Sequence, residues 1–212
     1  MRSERALWTA RGDEEDCGIA EDNTDLALAE RSGIDDSIAY LRGAYPQAGW
    51  RTHANFGQLA DFWLHVHESL RSEGAEVASV VDRFRVRQLD PHAFQRAFVP
   101  RLNGFLGHLE QHHQIEDAAY FPRFKTIDPR MVAGFDLLEA DHALIHELLL
   151  KTVDDARALL TALALPGDAG LRAADGYAQR ADRFLALMLR HLADEEEIVV
   201  PALLEHGERP LL

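Results

Sequence analysis

Residues 112–122 read His112-His113-Gln114-Ile115-Glu116-Asp117-Ala118-Ala119-Tyr120-Phe121-Pro122, and residues 191–201 read His191-Leu192-Ala193-Asp194-Glu195-Glu196-Glu197-Ile198-Val199-Val200-Pro201. With His112 and His191 aligned, both stretches carry Glu at the fourth position on, an acid at the fifth and Pro at the tenth. A spacing of four puts His and Glu on one face of an α-helix, one turn apart. Both side chains can then reach the same metal cluster. The prolines are expected to end or kink each helix shortly past the Glu.

The flanking sequence carries a helical period. In a first segment Phe56, Ala60, Trp63, His67, Leu70, Gly74, Val77 and Val81 follow in steps of three and four. A second runs from Pro91 to Tyr120, with Phe98, Leu102, Phe105, Leu109, His112, Glu116 and Tyr120 on one stripe. Asp90 suits its N-cap and Pro91 its first turn. The third follows Asp128-Pro129 with Val132, Phe135, Glu139, His142, His146, Leu149 and Val153, and ends before Pro166-Gly167. The fourth runs from about Leu171 to Glu205 with Phe184, Met188, His191, Glu195, Ile198 and Ala202. No strand-like alternation of comparable length occurs. The expectation is an all-α, up-down-up-down antiparallel four-helix bundle with an N-terminal extension.

Each stripe places His, and some place Glu, where an apolar residue belongs. Buried His and Glu are costly unless paired or coordinated. One such residue is usually a hydrogen-bonded core histidine; intrusion on all four stripes points to a shared site. His67 precedes His112 by 45 residues and His142 precedes His191 by 49, so the chain reads as two similar helical hairpins. Carboxylates and imidazoles without thiolate favour Fe or Mn over a cysteine-type zinc site, although ligand type alone leaves Mn, Zn or a mixed pair open.

These residues resemble the haemerythrin-like (HHE cation-binding) family. The resemblance rests on His67 in HESLR, on HHQIEDAAYFP, EADHALIHELL and HLADEEEIVVP, and covers roughly residues 55–206. The Glu four residues after His191 matches the bacterial type; the invertebrate oxygen carriers have an Asp one residue further on. The resemblance implies one iron bound by His142, His146 and His191 and a second by His67 and His112. Glu116 and Glu195 would bridge them, with a bridging oxo or hydroxo group. It also implies an open position on the iron with fewer histidines, where O2 would add and be reduced to peroxide as both irons are oxidised.

Other polar residues read more plainly. His113 stands three before Glu116 and could replace His112, but the match to the fourth helix favours His112. His108 and Glu139 read as orienting a ligand or as surface groups, and Asp117, Glu196 and Glu197 as solvated charges. His53, His92 and His206 read as surface residues. A ferritin-like centre needs Glu-x-x-His on two helices, and Glu139-Ala140-Asp141-His142 is the one in-phase example. No His-Glu-x-x-His motif is present.

Composition sets the surroundings. A chain of 212 residues with 47% apolar and 27% charged residues suits a globular protein. A net charge of −14 argues against nucleic acid and anionic membranes as partners. No apolar run approaches the roughly 20 residues of a membrane span, and the N-terminus lacks a secretory core, so a cytoplasmic location is expected. Cys17 alone cannot form an intramolecular disulfide. From Asp13 to Asp36 there are ten acidic residues and one basic residue, Arg31. Residues 1–36 are therefore expected as an acidic flexible tail, 37–52 as a short helix and turn on the bundle, and 53–207 as the bundle itself. The expected function is binding of O2 or a related small ligand (NO, peroxide) at a di-iron site for sensing, storage or carriage. Peroxide or nitric oxide detoxification, and an iron- or oxygen-responsive regulatory module, are the alternatives.

Overall fold

The computed structural model describes residues 27–211. Among them are helices and turns and no strand. Helix α1 spans Gln58–Arg85, α2 Pro91–Ile115, α3 Phe121–Ile127, α4 Val132–Ala162 and α5 Ala169–His206. A π turn at Glu116–Tyr120 joins α2 to α3, and short 3-10 turns lie at Gln47–Thr52, Pro129–Met131 and Arg209–Leu211. α1 packs on α2 and α5, and α4 packs on α5. No helix of the described residues is long and apolar enough to cross a membrane.

The helix starts follow from local chemistry. Asp90 accepts a hydrogen bond from the Ala93 amide at 2.8 Å, and Asp128 accepts one from the Arg130 amide at 3.0 Å. α1 lacks a local cap. Its first amides, of Leu59 and Ala60, donate instead to Glu208 Oε1 at 2.8 and 3.0 Å, which ties the two ends of the helical body together. The preceding Gly57 makes room: a Cβ there would stand 2.5 Å from the Glu208 carboxyl.

Two apolar clusters fill the interior. One contains Leu70, Leu109, Ile145, Met188 and Leu192; the other contains Trp63, Phe121, Leu138, Ile198 and Ala202. α1, α4 and α5 each cross from one cluster to the other, as α2 does together with α3, and polar residues stand at each crossing. His67 lies between Trp63 and Leu70, and His112, His113 and Glu116 between Leu109 and Phe121. His142 lies between Leu138 and Ile145, and Glu195 between Leu192 and Ile198. The polar layer is thus a seam between two largely apolar halves.

Four expectations change. Pro201 does not end its helix, since α5 continues to His206. Pro122 follows a π turn in which the Phe121 amide bonds to Glu116 O, five residues back. Proline cannot donate to the carbonyl four residues before it and crowds that carbonyl, and widening the preceding turn relieves both problems. The wider turn shifts the phase by one residue, so Phe121 and Phe124 are buried while Tyr120 is only partly so. The buried face of α4 is Phe135, Leu138, Asp141, His142, Ile145 and Leu149, not the stripe through Val132, Glu139, His146 and Val153.

The fourth change concerns the N-terminal boundary. Residues 27–36 pack on the helices, with Leu28 and Ile34 buried and the Arg31 side chain 1% exposed. Residues 1–26, with Cys17 and most of the acidic block, lie outside the described residues. Residues 37–52 form turns ending in the 3-10 turn, where Trp50 is buried against Val200 and Leu204.

Candidate metal centre

Seven buried side chains converge at the seam in two groups. His67, His112, Glu116 and Glu195 form one; His113, His142 and His191 form the other. Within each group one ligand atom per residue lies within 4.8 Å of the others. The two carboxylates connect the groups. Glu195 Oε1 lies 3.3 Å from His67 Nε2, and its Oε2 lies 3.3 Å from His191 Nε2. Glu116 Oε1 lies 3.1 Å from His112 Nδ1, and its Oε2 lies 3.7 Å from His142 Nε2. His142 and His191 bring their Nε2 atoms within 3.1 Å of each other, two nitrogens that a shared cation would satisfy.

Outer carboxylates fix the rings. Nδ1 of His67 lies 2.9 Å from Glu196, Nδ1 of His142 lies 2.7 Å from Asp117, and Nδ1 of His191 lies 3.3 Å from Asp141. A proton held on Nδ1 by a carboxylate leaves the Nε2 lone pair facing the seam, the usual arrangement of metal-binding histidines. Trp63 Nε1 donates to Glu195 Oε1 at 2.5 Å and holds that carboxylate from the other side. Asp117 and Glu196, read from the sequence as solvated charges, are therefore orienting groups. Glu197 is a surface group paired with Arg42, and Glu139 pairs with Lys125.

The placement of two histidines differs from the sequence expectation. His146 lies outside both groups, with its side chain 49% exposed and Nδ1 on Glu110 at 2.8 Å. Ile145 fills the core position after His142, and successive residues on a helix diverge by about 100°. His113 stands in the second group, stacked on His142 with ring centroids 4.0 Å apart. A signal for it is present in the sequence, because Leu102, Leu106, Leu109 and His113 continue an apolar stripe beside the one through His112.

The energetics favour a bound cation. Nε2 of His67, His112 and His113, both oxygens of Glu116 and Oε2 of Glu195 are buried without a well-formed hydrogen bond. Each unsatisfied buried polar atom costs about 1–3 kcal/mol. Together they would rival the roughly 5–15 kcal/mol by which a domain is stable. Neutral nitrogen and carboxylate oxygen, without thiolate, are a donor set that iron or manganese accepts.

Protonation in the metal-free chain follows the same geometry. Burial, reinforced by Glu195, pushes Glu116 well above the carboxylate range. Burial works against ionised Glu195 as well, but His67 and His191 outweigh it and hold Glu195 low. Burial likewise opposes a charge on His191, yet Asp141 and Glu195 raise it to about 9. Burial takes His112 down to about 3, and burial with the neighbouring imidazoles lowers His113 strongly.

A pH dependence follows. His112 and His113, lowered by burial, take protons near the ordinary value of 6.5 only on unfolding, which favours the unfolded chain as pH falls, whereas the raised Glu116 acts in the opposite sense. Two histidines oppose one carboxyl, so stability of the metal-free protein is expected to fall as pH falls from about 6 to 4.5. Urea unfolding midpoints of chelator-treated protein across that range check the slope.

A cavity of about 220 Å³ reaches this site between α1 and α2. It is lined by Phe62, Trp63, Val66, Ile115 and Tyr120 together with His108 and Gln111, and it reaches His112 and Glu116. It opens at Phe62 and Ile115, which are 60% and 46% exposed.

Helices that carry buried imidazoles and carboxylates to one seam define a cation-binding helical protein. The Hemerythrin HHE cation binding domain matches residues 58–203, and the chain belongs to that family. Comparison with curated proteins and with solved structures gives no match.

Proposed function

We propose that the protein binds two iron ions at the seam and uses them to bind O2 or a related small ligand such as NO or peroxide. One ion would be held by His113, His142 and His191, the other by His67 and His112, with Glu116 and Glu195 shared between them. The observation that carries this reading is the pair of carboxylates, each with one oxygen toward either histidine group. The iron pair, with an oxo or hydroxo bridge, would supply reversible electron transfer to the ligand.

The remaining work falls to the chain. Glu196, Asp117 and Asp141 orient the imidazoles, and Trp63 orients Glu195. The apolar clusters on either side exclude water. The cavity at Phe62 and Ile115 gives a small, uncharged ligand a path to the group with two histidines. An up-down-up-down arrangement of α1, α2 with α3, α4 and α5 is part of this reading, supported by the alternating order in which the helices meet the two clusters. So is a cytoplasmic location, where a sensor or store for such a ligand would act.

The test is stopped-flow spectroscopy of the iron-loaded protein, reduced without oxygen and then mixed with O2. A long-lived adduct band supports ligand binding. Repeated consumption of added peroxide or NO without such a band supports the detoxification reading instead. Absence of any reaction with all three ligands contradicts both.

A further inference from the structure

We propose that Arg31 is a positioning residue of the metal centre, acting on His191 through Asp141. The proposal rests on the metal reading above and concerns a segment outside residues 58–203. Leu28, Arg31 and Ile34 repeat in the N-terminal segment what the long helices do at the seam. Leu28 joins the cluster of Leu70 and Ile145, and Ile34 joins the cluster of Trp63 and Ile198. Arg31 lies between them, where the polar layer begins.

Its guanidinium grips two buried carboxylates. Nη1 donates to Asp141 Oδ1 at 2.9 Å and Nη2 donates to Oδ2 of the same carboxylate. Nε donates to Asp194 Oδ2 at 2.8 Å. The side chains of Arg31, Asp141 and Asp194 are 1%, 4% and 2% exposed. Asp141 is the carboxylate that faces Nδ1 of His191, at 3.3 Å. The planar guanidinium therefore sets the plane of Asp141, and Asp141 holds the Nδ1 proton and sets the rotation of a histidine in the three-imidazole group. Outer groups of this kind typically change metal affinity by about 10–100-fold when lost. Lysine, a point charge, cannot span both carboxylates as the fork does.

The experiment uses the full chain as wild type, Arg31→Met, Arg31→Lys and Arg42→Met. Arg42 also ties the N-terminal region to α5, through Glu197, and pairs with neighbouring Asp36 but not with Asp141. Metal-free protein is examined by ¹⁵N-resolved NMR of the His191 imidazole, and ferrous-loaded protein by the rate of iron release to a chelator. Arg31→Met is expected to shift or abolish the His191 Nδ1 proton signal and to release iron about 10–100-fold faster, with Arg31→Lys between it and wild type. Arg42→Met is expected to match wild type in both. The proposal is overturned if Arg31→Met and Arg42→Met give the same His191 signal and the same release rate and differ from wild type only in thermal stability. If wild-type protein takes up no iron, the metal reading fails, and the NMR arm alone decides whether Arg31 sets the His191 ring. If Arg31→Met does not fold, Arg31→Lys decides: an unchanged His191 signal rejects the proposal.

Discussion

Alanine at position 195 is expected to remove both iron ions. Glu195 sends one oxygen to each histidine group, so in the proposed centre its loss would strip an anionic ligand from two ions at once. It also leaves Trp63 Nε1 without its acceptor and His67 and His191 without the charge between them. Loss of an orienting group costs about 10–100-fold in metal affinity; loss of a shared ligand is expected to exceed the upper end of that range for both ions. Glu197→Ala is the control. That side chain sits two residues along the same helix, on the surface with Arg42, and its loss is expected to leave iron content unchanged. Elemental analysis of the two purified variants makes the comparison.

The second large effect separates His113 from His146. Both precede or follow a histidine of the seam in sequence, and only one faces it. His113 is buried, stacks on His142 and keeps Nε2 without a hydrogen bond. His146 pairs with Glu110 at the surface. His113→Ala is expected to weaken one ion by at least about 10–100-fold and leave the chain with close to half its iron. His146→Ala removes one partly exposed ion pair, a kind worth about 0–1 kcal/mol, and is expected to leave iron binding within twofold. The opposite pattern would restore the ligand set with His146 that the family resemblance implies. Equilibrium titration with ferrous ion under anaerobic conditions measures both.

Why the sequence speaks clearly about some residues and not others has a physical reason. His67, His112, Glu116, His191 and Glu195 interrupt strong apolar stripes, and a helical period makes such interruptions visible. The α4 stripe is harder, because Glu139, His142 and His146 satisfy the same spacing as Leu138, His142 and Ile145. Burial favours the apolar set, and spacing alone does not choose between them. Asp141 is in phase with Leu138 and Ile145 and could have been noticed as a further polar intrusion. Asp117 and Glu196 directly follow the seam glutamates Glu116 and Glu195 and look like surface charge until the facing helix supplies the imidazole. The π turn depends on how a proline strains the turn before it, which a stripe drawn at constant period does not contain. Arg31 carries the least signal. It is the one basic residue in an acidic block, and its partners lie 110 and 163 residues away.

The layered interior also explains how one domain can house so many titratable groups. Most of the buried ones are gathered at a single seam, and the apolar clusters above and below supply the packing. Every long helix contributes to that seam, so the site and the fold depend on one another. Metal binding is accordingly expected to add stability by mass action, rising with the ratio of free metal to its dissociation constant.

Iron per chain, determined by elemental analysis after anaerobic reconstitution and removal of unbound metal, tests the two-ion centre. Two irons per wild-type chain, falling to near none in the Glu116→Ala, Glu195→Ala double variant, is the expected result. A wild-type chain holding no iron, or a double variant holding as much as wild type, would contradict it.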